Sequence, residues 1–226
     1  PQNPNQYLYR GKWREFKIRK ELIPRKRKKP IPFQVKESVH GPIIDSELLG
    51  YSPGGLKENQ VYAVKLVDVN LGNFLQGYLD MARASNWEEF KAGLKNMIQG
   101  PVAWNHIYAD LKGNIGYWLS GHIPIRPDNQ GYIPRPGWSG EYDWKGYVPF
   151  QELPHIYNPK KGYIATANNR NYLEGYPYYI GIHYRLERIL RIDQVLQSKE
   201  KFSLEDMKKL QLDVKAMAVS YTHLRA

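Results

Sequence analysis

Apolar and polar residues alternate along Gln6-Tyr7-Leu8-Tyr9-Arg10 and along Lys12-Trp13-Arg14-Glu15-Phe16-Lys17-Ile18, with the turn former Gly11 between them. A period of two on both sides of a glycine predicts a β-hairpin. Pro32-Phe33-Gln34-Val35-Lys36 and Gln60-Val61-Tyr62-Ala63-Val64-Lys65-Leu66-Val67, each bounded by Pro, Gly or Asn, predict further strands on either side of a turn-rich loop at 50–59. From Leu71 the period becomes helical. Asn86-Trp87-Glu88-Glu89 supplies an N-cap and an acidic first turn ahead of Phe90, Leu94, Met97 and Ile98, so two helices are expected before residue 100.

Two apolar strands, 102–109 and 115–119, flank Asp110-Leu111-Lys112-Gly113-Asn114, which predicts a second and more deeply buried hairpin. By strand parity Asn105 shares a face with Ala103, Ile107 and Ala109, while Trp104, His106 and Tyr108 point the other way. An amide among small apolar groups has two readings: a buried Asn satisfying nearby backbone, or an N–H donor aimed into a pocket. Parity alone does not separate them. Residues 121–159 carry little periodicity and are expected to form a long ordered loop held by Trp138, Trp144 and Phe150. A short strand at 161–166, a helix near 179–197 and another from Ser203, capped in an S-x-x-D pattern by Asp206, complete the chain. The order strands, helices, strands, helices predicts an α+β fold, and no composition break divides it into domains.

Among the 226 residues, 24% are charged and 42% hydrophobic, a globular composition with no apolar stretch long enough to cross a membrane. With no Cys, thiol nucleophiles, thiolate metal sites and disulfides are excluded. The N-terminus, Pro1-Gln2-Asn3-Pro4-Asn5, has neither an initiator Met nor a signal sequence, so the chain is expected to be part of a longer one. The net charge of +11 concentrates in Arg25-Lys26-Arg27-Lys28-Lys29 between two prolines. That run lacks interleaved aromatics, which makes it a solvated hairpin tip rather than a nucleic-acid surface. The six His show no metal-ligand spacing. Gly50-Tyr51-Ser52-Pro53-Gly54 matches the G-x-S-x-G nucleophile elbow, but Pro53 removes the backbone N–H that the elbow's oxyanion hole requires. It is expected to be a surface turn.

The run 104–117 (Trp104-Asn105-His106-Ile107-Tyr108-Ala109-Asp110-Leu111-Lys112-Gly113-Asn114-Ile115-Gly116-Tyr117) is followed in order by Pro124-Ile125-Arg126, Trp144-Lys145-Gly146, Pro149-Phe150 and Asn158-Pro159-Lys160-Lys161-Gly162-Tyr163-Ile164-Ala165-Thr166-Ala167-Asn168-Asn169. This collinear series resembles the β-chain of penicillin amidases and N-acyl-homoserine-lactone acylases. Val39-His40-Gly41-Pro42-Ile43 and Asn86-Trp87-Glu88-Glu89-Phe90 extend the resemblance to roughly residues 6–218.

The resemblance implies an N-terminal-nucleophile hydrolase with a four-layer αββα core, matured by self-cleavage that exposes a Ser whose own α-amine acts as base. By motif position, Asn105 is the side-chain donor of the oxyanion hole, and Arg126 is the arginine that positions catalytic or substrate groups. The nucleophile would lie upstream, so 1–218 is read as an internal part of the β-chain, lacking the α-chain and the first part of the β-chain and inert alone. Residues 219–226 do not continue the family pattern. Calcium ligands of some members lie mostly upstream, leaving Asp110 as a weak candidate ligand here and calcium a cofactor only of the longer protein. The implied substrate is a small amide, a β-lactam antibiotic or an acyl-homoserine lactone, with no nucleic-acid partner; the implied compartment is periplasmic or extracellular. The competing reading is a non-catalytic binding module of the same fold whose basic hairpin engages an anionic partner.

Overall fold

The computed structural model describes residues 3–44, 56–57, 59–129, 131, 133–181, 186–215 and 217. The G-x-S-x-G segment, His183, His223 and the 219–226 tail lie outside the described residues. The chain forms two compact units, each assembled from two stretches: 1–68 with 124–147, and 69–123 with 148–226. Because each unit is discontinuous in sequence, no linker marks the division, and composition does not reveal it.

In the first unit, β1 (Gln6–Tyr9) and β2 (Lys12–Glu15) form the expected hairpin around Gly11. The alternation continues past it to Ile18, but the strand does not. Phe16 donates its N–H to the Asn5 carbonyl at 2.8 Å, and β3 (Lys17–Arg25) then begins a separate ribbon. It pairs antiparallel with β4 (Lys28–Ser38), and the sheet continues through β5 (Gly41–Ile44) to β6 (Tyr62–Ala63) in the order β3-β4-β5-β6. The strand expected at 60–67 is thus reduced to two residues, Tyr62 and Ala63 pairing with Ile44 and Ile43, and the contact ends with the Val64 N–H donating to the Pro42 carbonyl at 3.0 Å. Lys26 and Arg27 sit at the tip between β3 and β4. Every residue of β3 is exposed, as is the first half of β4, so the basic run is solvated; Leu22 and Phe33 behind it are 71% and 51% exposed.

The second unit sets two helices on a three-stranded sheet. The Asn86 side chain accepts from the Glu89 N–H at 3.0 Å and starts α2 (Trp87–Met97), as its sequence predicts. Preceding it, α1 (Leu71–Arg83) opens with the same device at Asn70. The helices touch at glycines: a Cβ on Gly77 would lie 2.6 Å from the Gly93 carbonyl oxygen, so any larger residue forces them apart. The sheet runs β7 (Trp104–Ala109), β8 (Ile115–Ser120), β9 (His155–Tyr157), all antiparallel. β9 lies inside the segment expected to be loop, since three residues are too few to show a period.

Residues 161–166 form no strand. The Gly162 N–H closes a turn to the Pro159 carbonyl at 3.0 Å and the Ala167 N–H is taken by the Asn169 side chain at 2.9 Å, so flanking donors are engaged locally rather than in a ladder. The helix expected at 179–197 is α3 (Glu187–Leu196), and α4 (Leu204–Gln211) carries the Ser203/Asp206 capping box. Four α-helices and three sheets among the described residues make a mixed α and β fold.

One face of the β7–β8 hairpin holds the core. His106, Tyr108, Trp118 and Ser120 are buried there, and Trp87 packs on them with ring centroids 5.3 Å from Tyr108 and 6.0 Å from Trp118. Gly116 belongs to the same face because a Cβ there would sit 2.3 Å from the Trp87 ring. The opposite face is half-open on β7, at Asn105, Ile107 and Ala109, but closed on β8, where Tyr117 and Leu119 are buried, so β8 is covered on both faces and β7 on one.

Candidate active-site elements

The turn between β7 and β8 sets the register on which the site depends. Asp110 Oδ1 accepts the Lys112 and Asn114 backbone N–H groups at 2.9 and 3.0 Å, and Oδ2 accepts the Asn114 amide at 2.8 Å and the Tyr108 hydroxyl at 2.9 Å. These bonds, led by the one from the Asn114 side chain, hold its carboxyl down to about 2. Both oxygens are therefore engaged in shaping the turn, and no group of three His, Cys, Asp or Glu residues among those described is placed to hold a metal ion. With the turn closed, Ala109 pairs with Ile115, Ile107 with Tyr117 and Asn105 with Leu119.

That register puts Tyr117 diagonal to Asn105 on the half-open face. The Tyr117 hydroxyl donates to Asn105 Oδ1 at 2.6 Å. Tyr117 is only 3% exposed, and burial pushes its phenol up to about 12. With its oxygen committed, the Asn105 amide presents its nitrogen away from the tyrosine, and no described residue accepts from it. The partner of Asn105 is thus a phenol rather than backbone.

On the opposite face, His106 Nε2 and Ser120 Oγ lie 2.7 Å apart, both side chains buried. Burial lowers the His106 pKa, so the folded state keeps the ring neutral. The unfolded chain therefore binds the extra proton first. Stability is fully present above about pH 6.5, the ordinary imidazole value, and declines as pH falls through it toward the folded value. Melting temperatures recorded between about pH 8 and pH 5 are expected to fall in this window, and His106→Gln is expected to flatten it. An unchanged slope in the variant would assign the acid sensitivity elsewhere.

Arg126 belongs to the other unit. Its guanidinium carbon lies 5.2 Å from the centroid of the Trp144 ring, and Lys65 Nζ lies 4.9 Å from the same ring. These residues border a cavity of about 970 Å³ within the first unit, lined also by Trp13, His40 and Asp143. Asp143 is the clasp of that wall: its carboxylate accepts from the Tyr9 hydroxyl at 2.5 Å and from Arg10 at 2.9 Å, and meets His40 Nε2 at 2.7 Å. Burial would raise Asp143, but the bonds from His40, Tyr9 and Arg10 outweigh it and hold the carboxyl below its usual range. Sequence reasoning missed this cluster, because its members lie up to 134 residues apart with no motif joining them. The two residues assigned by resemblance thus stand in separate units, Asn105 on a strand of the second and Arg126 on a loop of the first.

The penicillin amidase family model matches residues 1–223. Acyl-homoserine lactone acylase QuiP of Pseudomonas aeruginosa is 30% identical over 219 residues, covering 95% of this chain and 26% of that protein. Penicillin G acylase of Escherichia coli is 30% identical over 210 residues, covering 90% of this chain and 23% of the relative. A thermostable penicillin G acylase from Alcaligenes faecalis superimposes with a TM-score of 0.74 at 26% identity, over 92% of this chain and 36% of that structure. The chain spans about a quarter of the length of these curated relatives. A match across nearly its whole length, in sequence and in fold, makes this chain a member of the penicillin amidase family.

Proposed function

We propose that these residues are one segment of a longer acylase that cleaves the acyl group from a small amide, a β-lactam antibiotic or an acyl-homoserine lactone, with a Ser nucleophile supplied from outside them. The observation that carries the reading is Asn105: a side-chain amide on a half-open strand face, its oxygen held by Tyr117 and its nitrogen unclaimed by any described residue. Attack on an amide carbonyl places negative charge on its oxygen, and a fixed N–H donor aimed at that oxygen stabilises the transition state more than the ground state. Arg126, braced on Trp144, serves as a positively charged positioning group. The larger protein is a four-layer N-terminal-nucleophile hydrolase that works outside the cytoplasm.

Two measurements test this. N-terminal sequencing of the full-length protein after maturation is expected to find a new subunit beginning with Ser, and the isolated 226-residue chain is expected to hydrolyse neither substrate class above background. Turnover by the isolated chain that survives repurification, or a full-length protein without a self-cleaved nucleophile, would overturn the reading. The exposed basic tip of the β3–β4 ribbon supports the binding-module alternative, which salt-sensitive binding of the full-length protein to anionic vesicles, without hydrolysis, would favour.

A further inference from the structure

We propose that the β3–β4 ribbon is a membrane-surface contact, lying along an anionic lipid bilayer with its tip cations at the phosphates and Ile23, Ile31 and Phe33 in the interface. It does not depend on the role given to Asn105. Register sorts the ribbon's side chains into two faces, because directly opposite residues share a face and so do alternate residues along one strand. Glu21 pairs with Phe33 and Ile23 with Ile31, so Ile23, Ile31 and Phe33 stand together on one side, all three exposed. They form an apolar patch just behind the tip.

Charge is graded along the same ribbon. At the end away from the tip, Glu37 meets Lys17 at 3.7 Å and Arg19 at 3.8 Å, and Arg19 also pairs with Glu21, so the carboxylates of that face are already neutralised. Toward the tip the positive charge is uncompensated. No Asp or Glu lies between Glu21 and Glu37, and among the described residues Arg25, Lys26, Arg27, Lys28 and Lys29 form no ion pair. The Arg25 guanidinium donates to the Lys29 carbonyl at 2.9 Å, which ties the two strands without cancelling any charge. Arg27 closes the turn at φ +58, a position that favours glycine or asparagine. The turn itself therefore gives no reason for a cation there.

A bilayer surface accounts for both halves of the ribbon. Phosphates accept from the Lys and Arg heads, whose long stems reach sideways from a ribbon lying flat, while the apolar patch leaves water for the boundary between headgroups and acyl chains. Single-stranded nucleic acid would need rings to stack on, and Phe33 is the one aromatic residue between 17 and 38. A second copy paired along the same edge would set one cation run beside another, which repels.

The test uses the full-length protein. Vesicles of phosphatidylcholine mixed with phosphatidylglycerol are expected to carry it down on sedimentation, and vesicles of phosphatidylcholine alone to leave it in solution. Changing Arg25, Lys26, Arg27, Lys28 and Lys29 together to Gln is expected to weaken the partition at least about a hundredfold. Phe33→Ser keeps every charge and is expected to weaken it about tenfold. Asn105→Ala is expected to bind as the unaltered protein does, so failure of the hydrolase reading leaves this result readable.

Equal binding to both kinds of vesicle, or full binding by the five-residue variant, would overturn the proposal. Unchanged binding by Phe33→Ser would also sink it, since charge alone would then make the contact and the apolar patch would stay in water. Tighter binding to single-stranded oligothymidylate than to the mixed vesicles would make the ribbon a nucleic-acid surface instead. If the five-residue variant does not fold, a salt titration of the unaltered protein carries the charge arm: release from the mixed vesicles as salt rises is expected, and undiminished binding at high salt refutes the contact.

Discussion

In the full-length protein, Asn105→Ala is expected to lower kcat about a hundred- to a thousand-fold, because on the proposed reading it removes one oxyanion donor, worth roughly 3–4 kcal/mol in the transition state. KM moves little. The donor tightens only as the carbonyl oxygen gains charge, so the loss falls on the chemical step rather than on ground-state binding. Asn105 lies on the face of β7 away from the core, so the substitution removes no packing against Trp87, and self-cleaved, folded enzyme is expected. Single-turnover kinetics decide the point. A processed variant with near-native turnover would make Asn105 a structural amide and remove the main support for the functional reading.

Trp87→Ala is expected to destabilise the protein by about 4 kcal/mol, among the larger effects of any single substitution. Its ring is 8% exposed and meets Phe90, Tyr108, Trp118 and Tyr157 at centroid separations of 5.8, 5.3, 6.0 and 5.0 Å. Those partners come from α2 itself and from all three strands of the sheet. Truncation leaves a cavity that cannot collapse, because Gly116 beneath the ring has no side chain to fill it. Urea denaturation of the variant measures the change; a loss under about 1 kcal/mol would show that the site repacks and that Trp87 is not the hub of the unit. The two substitutions should also separate in kind, one removing rate with stability kept and the other removing stability.

The helical layer and the β7–β8 hairpin were legible because their signals are local. Asn86 followed by two glutamates, and Asp110 through Asn114 between two apolar runs, each specify geometry within a few residues. From that turn the register follows, and the register would have placed Tyr117 beside Asn105 had it been carried one step further. Other features depend on partners distant in sequence. Apolar residues at 161–166 read as a strand but have no neighbour to pair with, while His155–Tyr157 pairs with β8 although three residues show no period. Leu22 and Phe33 lie exposed on the ribbon, because alternation reports the pleat and not what covers it. The role of Asn105 came from family resemblance, since spacing alone left a structural amide and a catalytic one equally open.

The Asp143 clasp has a consequence for the order in which the chain is made. Tyr9, Arg10 and His40 leave the ribosome with the first unit's strands, but the carboxylate they hold is synthesised 134 residues after Tyr9. At about 5–20 residues per second the interval is on the order of ten seconds. During it α1, α2 and the β7–β8 hairpin emerge, so these local elements of the second unit are available to form while the first still waits for its last strap. Closing so long a loop is slow compared with forming a hairpin or a helix. The exposed β3–β4 ribbon, with its six cations and no carboxylate between Glu21 and Glu37, is on display throughout that wait. Its charge then acts on the nascent chain, keeping apart copies whose Leu22, Ile23 and Phe33 would otherwise pair edge to edge on neighbouring ribosomes.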